Sequence, residues 1–308
     1  LVGSEMCIRD RQLRLQFLIL LWGFTGVFGK LITLSALPIV WYRTGVAALA
    51  IFLYLHLKGV KINISQSQLL QFLGIGFIIA LHWFTFYWSI KVSNVSVALS
   101  TLSMGALFTS FLEPLFFRRK IDFQEVIIAI VVSACVMIIF RASPQYALGI
   151  GLGILCSFLS ALFSVLNAKA QKGSNPINIT LIEMLGGFIC INLLMIFVQP
   201  KSFVEVFSVD WINFGWLILL GVVFTAFAQI EMVALLKHVS PYTLLLNVNL
   251  EPVYGIILAY LIFGQSEQMS SIFYVATGVM IFAIVINSLI KRKRNSKKGH
   301  SVLDNKLK

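Results

Sequence analysis

Apolar residues gather into ten windows, most of them close to twenty residues long, at 15–34, 39–57, 69–90, 95–117, 126–140, 148–167, 179–198, 214–236, 242–263 and 271–290. Short polar breaks separate them. A helix needs about 20 apolar residues to cross the hydrocarbon of a bilayer. The pattern therefore predicts an all-α integral membrane protein with ten transmembrane helices. Short connections make consecutive helices antiparallel neighbours. The first window is interrupted by Gly23, Gly26, Gly29 and Lys30, and the fifth is short. Residues 1–11 read LVGSEMCIRDR and have no periodicity, so 1–14 is read as an N-terminal extension, part of it non-native.

The polar positions inside the windows carry the functional signal. The ninth window holds Thr243, Asn247 and Glu251 at i, i+4 and i+8, one face of a continuous helix, with Tyr254 extending the stripe. Pro252 follows the carboxylate and removes a backbone donor. Freed backbone groups survive in hydrocarbon only against protein or a wet cavity. A carboxylate at that depth costs at least ~2.5 kcal/mol on insertion scales, so it is a functional candidate by default. The alternative is a helix–helix hydrogen bond beside a proline kink.

Composition agrees with the windows. Hydrophobic residues make up 59% of the 308 positions and charged ones 12%, with mean hydropathy +0.92. The net charge of +12 does not point to nucleic acid, because the basic residues sit between and after apolar windows. With the N-terminus inside, nineteen Lys and Arg fall on cytoplasmic segments and three, Lys91, Arg141 and Lys201, on outer loops. That bias sets both termini in the cytoplasm of a plasma or inner membrane. The basic tail, 291–308, orients the chain and meets anionic lipid, making membrane lipid a partner. Cys135, Cys156 and Cys190 lie in apolar windows and act as small hydrophobes. No Cys or His spacing suggests a metal site, no cleavage site follows the first window, and no cofactor is expected.

A weak internal repeat runs through the windows. Lys30 matches Lys169 at offset 139, Pro38 matches Pro176 at 138, and Lys91 matches Lys237 at 146. Five windows per half is an odd number, so the halves must be inverted, as in many carriers with a midplane site. The twin Leu-Glu-Pro at 112–114 and 250–252 is a coincidence in the 146 register, which sets Glu251 opposite Gly105.

With Trp22-Gly23 early in the first window, Pro38 and Arg43 in the second, and Leu261-Ile262-Phe263-Gly264 ending the ninth, the chain resembles the drug/metabolite transporter superfamily, EamA type. The resemblance covers about 15–293. It implies two EamA repeats, 15–141 and 142–290. It also implies secondary transport, by export, of small metabolites such as amino acids, by alternating access and without ATP. Members usually carry Gly-Glu where windows four and nine end. Here those positions read Phe117-Arg118-Arg119 and Gly264-Gln265, so no glutamate role is carried over.

The candidate substrate site is Glu251 with Thr243 and Asn247 as a polar floor. Arg43 would attract an anionic group, and Tyr42, Trp83 and Tyr254 would form walls. His82 heads a stripe with Thr85 and Ser89 and is the candidate proton carrier. Lys30 and Arg43 each either snorkel outward or bind a carboxylate. Serine stripes at Ser96, Ser100, Ser103 and Ser110, and at Ser157, Ser160 and Ser164 with Asn167, read first as close helix packing. Proton coupling and a homodimer stay open. The competing reading is a membrane-embedded enzyme or lipid-modifying protein, with Glu113, Glu183 and Glu231 clustered at the cytoplasmic face. Against it, no G-x-x-x-x-G-K-[ST], H-E-x-x-H or G-x-S-x-G occurs.

Overall fold

The computed structural model describes the backbone of residues 2–120, 123–171, 174–248 and 250–304. Lys172, Asn249, Lys306 and Lys308 lie outside the described residues, as do the side chains of 1–10 and of the tail from Lys291. Among the described residues the chain is helical throughout and has no strand.

Fourteen α-helices follow in order: α1 Val2–Leu31, α2 Ala36–Leu57, α3 Gln66–Val92, α4 Val95–Leu102, α5 Gly105–Phe117, α6 Phe123–Ala142, α7 Ala147–Ala170, α8 Pro176–Phe197, α9 Ser202–Phe207, α10 Trp211–Gly221, α11 Ala228–Leu235, α12 Pro241–Val248, α13 Glu251–Phe263 and α14 Ser271–Asp304. A π segment, Val222–Phe227, joins α10 to α11. The starts are written locally. Ser65 and Gln68 form a capping box on α3. Asn94 caps α4, Asn175 caps α8 and Asp210 caps α10. Pro176 and Pro241 open their helices, where a missing N–H costs nothing. The segment 1–14 is helical from Val2 and runs straight into α1.

Among the described residues, seven helical stretches are long and apolar enough to cross a membrane: Arg11–Leu31, Ala36–Leu57, Gln66–Val92, Val95–Phe117, Pro144–Ala170, Pro176–Phe197 and Trp211–Leu235. Of the other three expected windows, the fifth and tenth contribute shorter apolar helices, Ile130–Ala142 and Ser271–Ala283. The ninth contains Asn249. Large apolar side chains such as Leu57, Phe197, Phe207 and Trp211 stand exposed on the outside of the bundle. In a membrane protein those are the positions that meet lipid.

Two helices break in mid-course. α4 yields to α5 at Ser103 and Met104, and α12 yields to α13 just before Glu251. The limits of both pairs, 95–102 and 105–117 against 241–248 and 251–263, differ by a constant 146 residues. The ends match as well. α5 stops at Arg118 with φ 54° and α13 at Gly264 with φ 58°, both at positive φ. α4 packs on α13 and α5 on α12, so the broken helices run antiparallel with their breaks level. Around them, α1 packs on α13 as α7 packs on α5, while α2 meets α8 and α6 meets α14.

Glycines permit the closest crossings. A Cβ on Gly76 of α3 would strike the backbone of Glu183 on α8, and one on Gly186 would strike Leu73. Small residues let apolar helices approach until their backbones touch, which replaces the hydrophobic drive absent in lipid.

Candidate functional site

A cavity of about 50 Å³ lies where the breaks meet α2, α3, α7 and α11. That is room for a few water molecules. Apolar and aromatic side chains dominate its walls, among them Trp22, Trp83, Phe86, Phe163, Phe224 and Leu244. The charged groups in it are Arg43 and Glu251.

Glu251 is 4% exposed. It is the first residue of α13, where free N–H groups and the helix dipole favour negative charge. Pro252 sits in the same first turn, so it starts a helix and does not kink one. The sequence-based expectation of a continuous helix fails at this point, and with it the shared face of Thr243, Asn247 and Glu251. Thr243 is exposed beside Ser240. Asn247 donates to the Thr243 carbonyl at 2.7 Å and accepts from Gln16 on α1 at 3.3 Å. Neither lines the cavity.

Arg43 is 3% exposed, and its guanidinium is held on three sides. Nε donates to Thr225 Oγ1 at 2.8 Å, Nη1 to the Tyr87 hydroxyl at 2.8 Å, and Nη2 to the Phe224 carbonyl at 3.4 Å. Its plane lies 4.0 Å from the centroid of the Trp83 ring. The π segment matters here, because Phe224 and Thr225 belong to it. An i→i+5 turn of this kind is common at functional sites. Arg43 does not snorkel outward; it is a fixed positive charge inside the bundle, stacked on an aromatic face.

His82 lines the cavity but is also tied down. Its Nδ1 lies 2.9 Å from the Cys156 carbonyl, which can only accept, so Nδ1 carries a hydrogen. Its ring packs against Phe163. Thr85 bonds the carbonyls of Leu81 and His82, and Ser89 bonds that of Gly149. The expected stripe is therefore the seam between α3 and α7. Tyr42 turns the other way. Its hydroxyl donates to the Val206 carbonyl at 2.8 Å and its ring meets Phe214, outside the cavity. Tyr254 packs on α1 at Gly23, also away from it. Of the eight residues singled out from the sequence, Glu251, Arg43, His82 and Trp83 come together, and Thr243, Asn247, Tyr42 and Tyr254 do not.

Several cavity residues were not singled out. Ser160 and Ser164, expected to serve close packing, line the cavity, and so does Gln229, for which the sequence suggested no role. A second omission lies at the far end of α1. Lys30 reaches Glu267, fully buried, at 2.7 Å. Glu267 also accepts from the Val95 and Ser96 backbone N–H groups and the Ser96 hydroxyl, at 3.3, 3.1 and 3.0 Å, and so caps α4. The signal was its place two residues after Gly264-Gln265, near where the family pattern carries an acid. Lys30 thus binds a buried carboxylate and does not snorkel.

Glu113, Glu183 and Glu231 each engage a different partner. Glu113 lies 3.5 Å from Arg119 and accepts from the Tyr242 backbone N–H. Glu231 pairs with Arg14 on α1. Glu183 accepts from Gln229. Among the described residues no three His, Cys, Asp or Glu side chains are placed to hold a metal.

A pair of opposite charges in an aromatic cavity, inside a bundle of membrane-length helices, defines a membrane transporter. The chain belongs to the EamA-like transporter family, whose family model matches residues 15–141 and again 147–289. The uncharacterized transporter YxxF of Bacillus subtilis (strain 168) is 24% identical over 279 residues, 89% of this chain and 87% of that protein. A crystal structure described only as that of a protein superposes with a TM-score of 0.66 at 14% identity, over 92% of this chain and 98% of the other, a likeness of fold alone.

Proposed function

We propose that the protein is a ten-helix secondary transporter, built from two inverted five-helix repeats, 15–141 and 142–290, that exports small metabolites by alternating access. Both termini are cytoplasmic. The substrate class is the zwitterion, such as an amino acid: Arg43 takes its carboxylate, Glu251 its ammonium group, and the aromatic wall its apolar side chain. Proton exchange at Glu251 couples transport to the proton gradient.

The observation that carries this reading is the position of Glu251. It opens a half-helix in a cavity that it shares with Arg43. Discontinuous helices whose ends face a buried polar site are a carrier device. The constant 146-residue spacing of the two broken helices and the twofold match of the family model support the repeats. So does the way α1 and α13 repeat the packing of α7 and α5.

The test is movement of a panel of labelled amino acids in proteoliposomes, with and without a pH gradient, by wild-type and Glu251→Gln protein at matched amounts. Glutamine keeps the shape and one hydrogen bond but carries no proton. The expected result is that gradient-driven accumulation disappears while the variant still purifies as a monodisperse protein. Gradient-driven transport at the wild-type level in Glu251→Gln would remove this residue from the mechanism.

A further inference from the structure

Gln229 and Ser164 form one side of the cavity wall, and behind them lies a second carboxyl that the substrate site does not use. Glu183, on α8, has no solvent exposure. Its Oε2 accepts from Gln229 Nε2 at 3.3 Å, while its Oε1 has no partner. The side-chain amide of Asn167 stands beside it but does not complete a hydrogen bond, and both polar atoms of that amide lack partners. Ser164 Oγ, Thr180 Oγ1 and Gln171 Oε1 are buried and unpartnered too. Ser164, Asn167 and Gln171 follow one another at i, i+3 and i+7 on α7, and Thr180 and Glu183 at i, i+3 on α8, so each set shares a face. Along α7 these positions step from Ser164, which lines the cavity, to Gln171 at the C-terminal end of the helix.

Buried polar atoms are satisfied by protein or by water. Unpartnered polar atoms spaced along one face of each helix offer hydrogen bonds that a thread of water can take. Among the described residues no charged side chain forms an ion pair with Glu183. Arg43 of α2 is held by Tyr87 and Thr225, His82 of α3 by the Cys156 carbonyl, Glu231 of α11 by Arg14, and Lys169 of α7 lies over the ring of Phe116. A bare carboxylate there is costly, and a proton removes the charge without any further ion.

We propose that Glu183 is a second proton-binding site, joined to the substrate cavity through Gln229 and to the α7–α8 connection by a water file along Ser164, Asn167, Thr180 and Gln171. The inference rests on the transporter reading and supplies its proton path. Loading is a single transfer. A hydronium in the file gives its proton to Oε1; one O–H bond forms at the carboxylate as another breaks at the water, and no other reactant takes part. Release reverses this. Gln229, which lines the cavity and holds Oε2, is the contact through which an arriving solute shifts the occupancy.

The test needs no transported solute, so it stands apart from the fate of the transport reading. Infrared difference spectra of the full chain in liposomes are recorded across a pH titration, in light and heavy water and in potassium or sodium salt. The expected result is a carboxylic-acid C=O band that titrates, shifts in heavy water, survives Glu251→Gln and is absent from Glu183→Gln. Glu183→Asp, in case the glutamine variant misfolds, should move the band and not remove it. Asn167→Leu should slow its exchange by roughly tenfold or more, since the file loses a link. A spectrum unchanged by Glu183→Gln, a band that never exchanges, or one abolished by sodium at constant pH would overturn the assignment; the last would make the site a sodium site.

Discussion

Two helices of this protein break halfway, and the breaks are dressed differently. At the first, α4 gives way through Ser103 and Met104 to Gly105. At the second, 146 residues on, the same position is Glu251 followed by Pro252. The backbones correspond at both ends of both half-helices. The first break has a glycine where the second has a carboxylate facing Arg43. Duplicated backbone and single-copy chemistry teach that the break is a property of the fold, while the charge is an addition to one half. The apparent sequence repeat, Leu-Glu-Pro at 112–114 and 250–252, pairs two glutamates that the structure keeps apart: one joins Arg119 near the end of α5, and the other lies inside the cavity.

Five variants can break or sharpen that contrast. The largest effect beyond Glu251→Gln itself is expected of Arg43→Lys. Lysine keeps the charge but loses the fork that holds Thr225 and Tyr87 and the stack on Trp83, so uptake should fall by about tenfold or more at normal membrane abundance. Wild-type uptake would mean that a point charge is all the cavity needs.

Next comes stability. A methyl on Gly255, one turn after Glu251, would overlap the Leu99 side chain and sit 3.1 Å from the Gly23 carbonyl. Gly255→Ala should cost about 1–3 kcal/mol in thermal or denaturant unfolding. Gly105, at the other break, meets nothing closer than 3.6 Å, so Gly105→Ala should stay within about 0.5 kcal/mol of wild type. Equal losses would show the two breaks to be packed alike.

Glu113→Gln tests the false twin. Glutamine can still accept from Tyr242, and a part-exposed ion pair is worth about 0–1 kcal/mol, so uptake should remain within about twofold of wild type. Arg118→Gly is expected to act in the opposite direction. Arg118 holds a left-handed conformation at the end of α5, and relieving it should stabilise the protein by up to about 1 kcal/mol in the same unfolding assay.

How much of this could be read beforehand follows from what hydrophobic pattern encodes. Membrane-length windows were plain, because hydrocarbon imposes both length and apolarity. The 146 register from Lys91 and Lys237 placed Glu251 opposite Gly105, and the helix limits carry that same register. Glu251, Arg43, His82 and Trp83 were legible as polar or amphipathic groups at depth. Thr243 and Asn247 were misplaced because helical spacing was carried across a break; Pro252, a first-turn residue, was the available clue. Tyr42 was misplaced because sequence gives depth along a helix but not azimuth around it. The same limit hid the partners of Glu183, whose contact with Gln229 on α11 depends on which way each helix turns its side chains. Glu267 escaped notice because it lies in a turn, outside any apolar window.

That turn residue has a consequence for timing. Glu267 holds Lys30 of α1 with one oxygen and grips the first amides of α4 with both. Parting the turn after α13 from both α1 and α4 therefore bares a carboxylate and breaks two helix-end hydrogen bonds in the same event. Such a coupled rupture sets a waiting time, since little in between is stable. The N–H groups of Val95 and Ser96 then become clocks. Their deuterium uptake counts how often that end of the molecule opens, whatever solute is passing through.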